Sequence, residues 1–185
     1  MRCFVAAFPS EEIRSAAFSL AGRVCASIRG ARIVPAGNLH LTLQFLGEVP
    51  DRDAGALSSG LAEGVSGFAP FRAGFARLGA FPSSRRATVL WTGVGEGKEG
   101  FEGLAGRISA VTGRFAQKKA EKPFVPHLTL ARFRTPADLS RLEVFSELMQ
   151  TELGMCTMAG FALMRSRLEP EGPVYEELRS YELKA

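Results

Sequence analysis

The word His-Leu-Thr-Leu occurs twice, at His40-Leu41-Thr42-Leu43 in the run NLHLTLQFLG and at His127-Leu128-Thr129-Leu130 in the run PFVPHLTLARF; the chain holds 2 histidines in all. Each copy follows a turn signal, sits in a run rich in Leu, Phe, Val and Thr, and alternates with period two, so each is a strand by pattern. Successive strand side chains point to opposite faces, which puts His and Thr of each copy on one face, about 7 Å apart, and the two leucines on the other. The leucines require an apolar bed. Two strands so bedded leave two imidazoles and two hydroxyls free to face one cleft.

Histidine is the side chain whose unperturbed pKa allows either protonation state near neutral pH, so one imidazole can serve as base while the other serves as acid. Threonine adds a hydroxyl able to donate to a phosphoryl oxygen. This set suits attack on a phosphodiester with protonation of the leaving oxygen, and it requires no metal. A lone histidine is more often structural than catalytic, and a threonine in a strand is often only a strand former. That both histidines share one word reverses those odds for His40 and His127 and carries Thr42 and Thr129 with them as substrate-binding candidates.

With 185 residues, 46% hydrophobic and 23% charged, the chain is expected to be one globular domain, or two small lobes, able to bury a core. No apolar run approaches the ~20 residues that cross a bilayer. The start, MRCFVAAFPSEEIRS, reads as a strand ended by Pro9 and not as a signal peptide, so no membrane association and a cytoplasmic location are expected. Cys3, Cys25 and Cys156 are odd in number, widely spaced and in apolar surroundings, which favours buried thiols over disulfides. With no CxxC, neither a metal site nor a cofactor is expected. The formal charge of +4 is compatible with a polyanionic partner, and Arg85-Arg86, Lys118-Lys119-Lys122 and Arg132-Arg134 are the basic clusters that could meet one.

In chain order the patterns predict a strand over 2–8 and a helix over 10–28 capped by Ser10 and stopped by Gly30. A short strand follows over 32–35, and then the first motif strand over 39–46. Asp51 opens a helix carrying Leu57, Leu61 and Val65, weakened by three glycines. Residues 71–81 and 88–94 read as a hairpin joined by PSSRR, with Trp91 assigned to core packing and base stacking as the alternative. Phe101, Leu104, Ala105, Ile108, Val111 and Phe115 mark an amphipathic helix. The preceding GVGEGKEG is no phosphate loop, since Lys98 is followed by Glu99. A polar loop over 116–123, a connector with the alternative of a lid, leads to the second motif strand over 124–133. Thr135-Pro136-Ala137-Asp138 reads as a helix start, and strands over 156–168 and 174–183 close the chain.

Two His-x-Thr-x words in a chain of this size resemble the 2H phosphoesterases. NLHLTLQFLGEV, VLWTGV, PHLTLARF and LMRSRLEPEGPVYEELRSYEL together are similar to the bacterial and archaeal RNA 2',3'-cyclic phosphodiesterases, also called 2'-5' RNA ligases. The resemblance implies an α+β fold spanning 1–185 as a single bilobal domain: two lobes related by a pseudo-two-fold, each an antiparallel sheet with outer helices, and a central cleft between them. It implies hydrolysis of RNA 2',3'-cyclic phosphate ends to 2'-phosphates, with His40 as proton donor and His127 as acceptor. ATP-independent 2'-5' ligation would be the same chemistry with an RNA hydroxyl in place of water. RNA bearing a cyclic phosphate or a 2'-5' linkage is the implied partner, and a monomer is expected. The alternatives are a 2H enzyme acting on small cyclic nucleotides or 2'-5' oligoadenylates, and a non-catalytic RNA-end binder. The family's HLTLAR pattern implies a substrate-binding Arg132, whereas strand parity places Arg132 on the face opposite Thr129. Ser166 and Tyr175, in the family-like C-terminal segment, could reach the substrate or serve the core or surface.

Overall fold

The two motif strands lie side by side at the centre of one nine-stranded antiparallel sheet. The computed structural model describes residues 1–116, 123–169 and 172–185. Its strands are β1 (Arg2–Ala7), β2 (Ala31–Ile33), β3 (Leu41–Glu48), β4 (Phe71–Phe81), β5 (Ala87–Val94), β6 (His127–Ala137), β7 (Glu152–Met158), β8 (Gly160–Glu169) and β9 (Gly172–Glu182). The helices are α1 (Glu11–Cys25), α2 (Ala54–Gly64), α3 (Lys98–Thr112) and α4 (Glu143–Leu148). The sheet order is β7-β4-β5-β6-β3-β1-β8-β9, with β2 also on β6.

Between β3 and β6 the register rests on one pair, Leu41 opposite Leu128. This thin seam divides the sheet into β3-β1-β8-β9 and β6-β5-β4-β7, two four-stranded lobes that a two-fold axis through the seam would exchange. The lobes are not the halves of the sequence. The closing hairpin β8–β9 returns to the lobe that contains β1, and β2 joins β6 in the other. Only Ala159 separates β7 from β8, although the two strands belong to different lobes, so the sheet curls until the lobes come within a residue of each other. The helices cross the seam too: α1 follows β1 but packs on β2, β6 and β7, and α3 follows β5 but packs on β3 and α2 as well as β4.

Leu41, Leu43, Leu128 and Leu130 are buried in the main core with Leu57, Leu61, Phe101, Leu104 and Ile108 from the helices. Burial of each leucine contributes about 1.5–3 kcal/mol, enough to fix which face of each motif strand points inward. A second, smaller cluster of Phe4, Ala6, Ala162 and Met164, edged by Phe8 and Tyr175, lies on the other face. That face is the cleft.

Several sequence expectations change. Ser10 flanks α1 without making a side-chain cap bond, and the helix ends at Cys25. Thr135 and Pro136 belong to the end of β6, where Ala137 still pairs with Ala87, rather than to a helix start. Asp138 instead caps a 3-10 turn over Leu139–Arg141, accepting from the Ser140 N–H at 3.1 Å, and α4 begins only at Glu143. The run over 156–168 is two strands, because Met158 completes β7 on β4 while Gly160 opens β8 on β9. Most of the polar loop, with Lys118, Lys119 and Lys122, lies outside the described residues. Among the described residues no helix is long and apolar enough to cross a membrane.

Candidate active site

The antiparallel pair Leu41–Leu128 fixes where the neighbouring residues fall: the register sets His40 across from Thr129 and Thr42 across from His127, all four on the face opposite the buried leucines. The histidines are thus diagonal neighbours, for which Cβ separations are about 7–8 Å, room for one phosphate between two imidazoles. All four side chains are half-buried.

Both rings are oriented alike. His40 Nδ1–H donates to the Asn38 carbonyl and His127 Nδ1–H to the Val125 carbonyl, each at 2.7 Å and each two residues upstream. A carbonyl oxygen can only accept, so the proton of the neutral ring is held on Nδ1 and Nε2 is left with its lone pair for chemistry. The backbone makes these acceptors available: Asn38 ends a 3-10 turn, and Val125 precedes Pro126, which favours extended backbone there.

Aromatic walls hold the rings. His40 lies 5.0 Å from Phe4, 5.9 Å from Phe8 and 5.2 Å edge-on from Tyr175, between ring centroids. His127 lies 5.2 Å from Phe81 and 6.1 Å from Trp91. Trp91 is therefore cleft wall and not core, contrary to the sequence expectation. Its indole lies over Gly79, where a Cβ would collide with the ring, so the glycine makes room for the wall. Burial pulls both imidazoles below their ordinary value of 6.5, against the opposing pull of their carbonyl partners. The Arg132 guanidinium lowers both further, and His127 also lowers His40. Burial raises Tyr175, opposed by Arg132 and Arg2.

Arg132 is thus felt by both histidines, against the strand-parity expectation, and a β-bulge explains why. On β5, consecutive Leu90 and Trp91 oppose Ala131 and Thr129, leaving Leu130 as the extra residue on β6. Leu130 and Ala131 are both buried in succession, which shifts the alternation by one and turns Arg132 and Arg134 to the face of His127 and Thr129. The other lobe repeats the device: Ala6 and Val5 oppose Thr42 and Gln44, with Leu43 extra, so Phe45 occupies the place that Arg132 has across the pseudo-two-fold. Ser166 and Tyr175 form a cross-strand pair on the β8–β9 ribbon, which brings Tyr175 to His40. The sequence reading misses the roles of Phe4, Phe8 and Phe81. Their signal lies in the strand pairing, which single-strand periodicity does not contain. Among the described residues no group of three or more His, Cys, Asp or Glu is placed to hold a metal, and the three thiols are free.

A face presenting two imidazoles with free Nε2 atoms, two hydroxyls and a guanidinium is built for acid–base chemistry on an anion. The family model described as the 2'-5' RNA ligase superfamily matches residues 9–169, and the chain belongs to that family. A Thermus thermophilus protein named RNA 2',3'-cyclic phosphodiesterase is 39% identical, covering 100% of this chain and 91% of its own. An Aquifex aeolicus protein of the same name is 32% identical, over 99% and 97%. Among solved structures, a protein of Thermus thermophilus superposes with a TM-score of 0.84 at 35% identity, covering 99% of this chain and 98% of the other. Escherichia coli LigT complexed with 3'-AMP gives 0.80 at 26% identity, over 100% and 98%.

Proposed function

We propose that this chain hydrolyses the 2',3'-cyclic phosphate end of RNA to a 2'-phosphate, with His40 and His127 as the acid–base pair. The carrying observation is the matched pair of Nδ1–carbonyl bonds, which leaves two Nε2 atoms for one phosphate. His127, neutral, takes a proton from the attacking water as the water oxygen bonds to phosphorus. The P–O3' bond breaks, and O3' leaves with the proton from His40. Both histidines reset by exchange with solvent. Thr42 and Thr129 donate to the non-bridging oxygens where charge accumulates, and Arg132 adds a positive charge on the same face, a preorganised stabilisation of the oxyanion. The names of the relatives support the substrate, and the donor and acceptor roles follow the family resemblance.

Burial that lowers both imidazoles favours the base and disfavours the acid. An anionic phosphate restores the balance by raising the imidazole it touches, so the acid is charged when substrate is bound. A 5'-hydroxyl in place of water would give 2'-5' ligation in the same cleft. Because seam strands and crossing helices come from both parts of the chain, we take residues 1–185 to act as one bilobal unit.

The test is incubation with RNA ending in a 2',3'-cyclic phosphate, in EDTA, with the end product resolved. A 2'-phosphate is expected. A 3'-phosphate, dependence on added divalent metal, or binding without turnover would refute the reading.

A further inference from the structure

Beyond the histidines, β6 runs on beside β2, and Arg32 sits directly opposite Arg132. Directly paired residues of an antiparallel ladder share a face, so two guanidinium side chains are juxtaposed where like charges are unfavourable. Arg134 follows two residues along the same face, and Ala31, Ile33, Ala131 and Phe133 on the other face pack into the core. The arginines are held outward by that packing. A depression of about 330 Å³ lined by Arg29, Gly30, Ala31, Arg32, Arg134 and Thr135 continues the line.

Among the described residues none of Arg29, Arg32, Arg132 and Arg134 forms an ion pair, so no carboxylate offsets the charge that their proximity concentrates. Four guanidiniums with no carboxylate partner, one pair of them opposed across a ladder, make a surface complementary to a multiply charged anion. Across the pseudo-two-fold the two ends are equipped differently: Arg2 is the guanidinium felt by Tyr175 in the other lobe, and no arginine stands in the place of Arg132. Phe45, which mirrors Arg132, is 64% exposed and meets Phe4 at 6.2 Å. Aromatic rings line both lobes, and the run of neighbouring guanidiniums lies at the β2–β6 end.

We propose that Arg32 and Arg134, with Arg29, hold the sugar–phosphate backbone of RNA upstream of the reacting end, making oligonucleotides preferred over cyclic mononucleotides. The inference rests on the reading that the cleft takes RNA ends. Linear RNA then leaves the histidines along β6, each internal phosphate meeting a guanidinium, a positively charged groove that tracks the backbone.

The experiment compares a ten-nucleotide RNA ending in a 2',3'-cyclic phosphate with a cyclic mononucleotide that has no upstream phosphate. The wild-type chain and Arg32→Ser/Arg134→Ser are used over a salt series. The double variant is expected to raise KM for the oligonucleotide about tenfold and to flatten its log–log salt dependence by about 0.7 per arginine. Mononucleotide turnover should stay within about twofold. Equal losses on both substrates, or an unchanged oligonucleotide KM and salt slope, would overturn the tract. If the wild-type chain turned over neither substrate, the function reading would fail. Fluorescence anisotropy with an uncleavable RNA would then still report on the tract, since equal affinity of wild type and variant overturns it.

Discussion

Replacing either histidine by asparagine separates the two nitrogens of its ring. The asparagine amide can place an N–H near the former Nδ1, within reach of the Asn38 or Val125 carbonyl, while nothing occupies Nε2. Loss of a general acid or base costs about 10²–10⁴ in turnover. At about 1.4 kcal/mol per decade, that is about 3–5.5 kcal/mol of barrier. The folding cost is separate and smaller. His127 contacts two aromatic rings and His40 three, and each such contact is worth about 0.5–1.5 kcal/mol. His127→Asn should therefore lower stability by about 1–3 kcal/mol and His40→Asn by somewhat more, a Tm loss of about 2–4 °C per kcal/mol for a chain of this size. Assays run well below either Tm, on RNA with a cyclic phosphate end, should show kcat down by at least a hundredfold for each variant with RNA affinity within a few-fold of wild type. The double variant should be little worse than the worse single, because acid and base act in one transition state. A loss below tenfold in either single variant, or a loss that tracks the unfolded fraction, would refute the two-histidine mechanism.

The pH profile of kcat/KM, which reports the free enzyme, should peak on the acid side of 6.5, since both imidazoles are lowered from that value. Arg132→Gln should move both limbs to higher pH, because its charge lowers both groups; an unmoved profile on titration would contradict its placement. Leu128→Ala, at the ladder pair between β3 and β6, should cost about 2–5 kcal/mol in chemical unfolding, and a cost under 1 kcal/mol would mean the seam relaxes freely. A substrate whose 3'-bridging oxygen is sulfur has a leaving group that departs without a proton, so it should restore turnover to His40→Asn and not to His127→Asn. Rescue of the opposite variant would exchange the two roles.

The motif strands are legible because their constraint is local: two leucines in alternation can be buried in only one way, and His40, Thr42, His127 and Thr129 follow. Arg132 is not legible from parity, since a bulge depends on what lies across the ladder, and the extra residue Leu130 looks like any other leucine of the strand. Trp91 escapes the sequence for a related reason. Its face is set by its pairing with Thr129 and Gly79, neither of which is near it in sequence. The false helix start at Thr135-Pro136 satisfies every local rule for a helix N-terminus, yet pairing of Ala137 with Ala87 extends the strand past it. Lobe membership is hidden as well, because the C-terminal hairpin completes the lobe begun by β1.

The pseudo-two-fold bears on how acid and base are assigned. Each imidazole has the same carbonyl partner two residues upstream, each is desolvated by aromatic rings, and each is lowered by the same guanidinium. Burial, the carbonyl partner and the Arg132 charge act on both rings in the same directions, so nothing in their own surroundings marks one as acid and the other as base. A substrate turned about the two-fold would meet the same chemistry with the roles exchanged and yield the same product. What distinguishes the histidines must then be whatever fixes the direction in which the substrate enters. The cleft departs from its own symmetry most plainly where Arg132 stands in one lobe and Phe45 in the other, with Arg32, Arg134 and Arg29 extending the line from Arg132. On the proposed mechanism, Arg29, Arg32 and Arg134 would be what makes His40 the acid and His127 the base, by deciding which of them the departing 3'-oxygen faces.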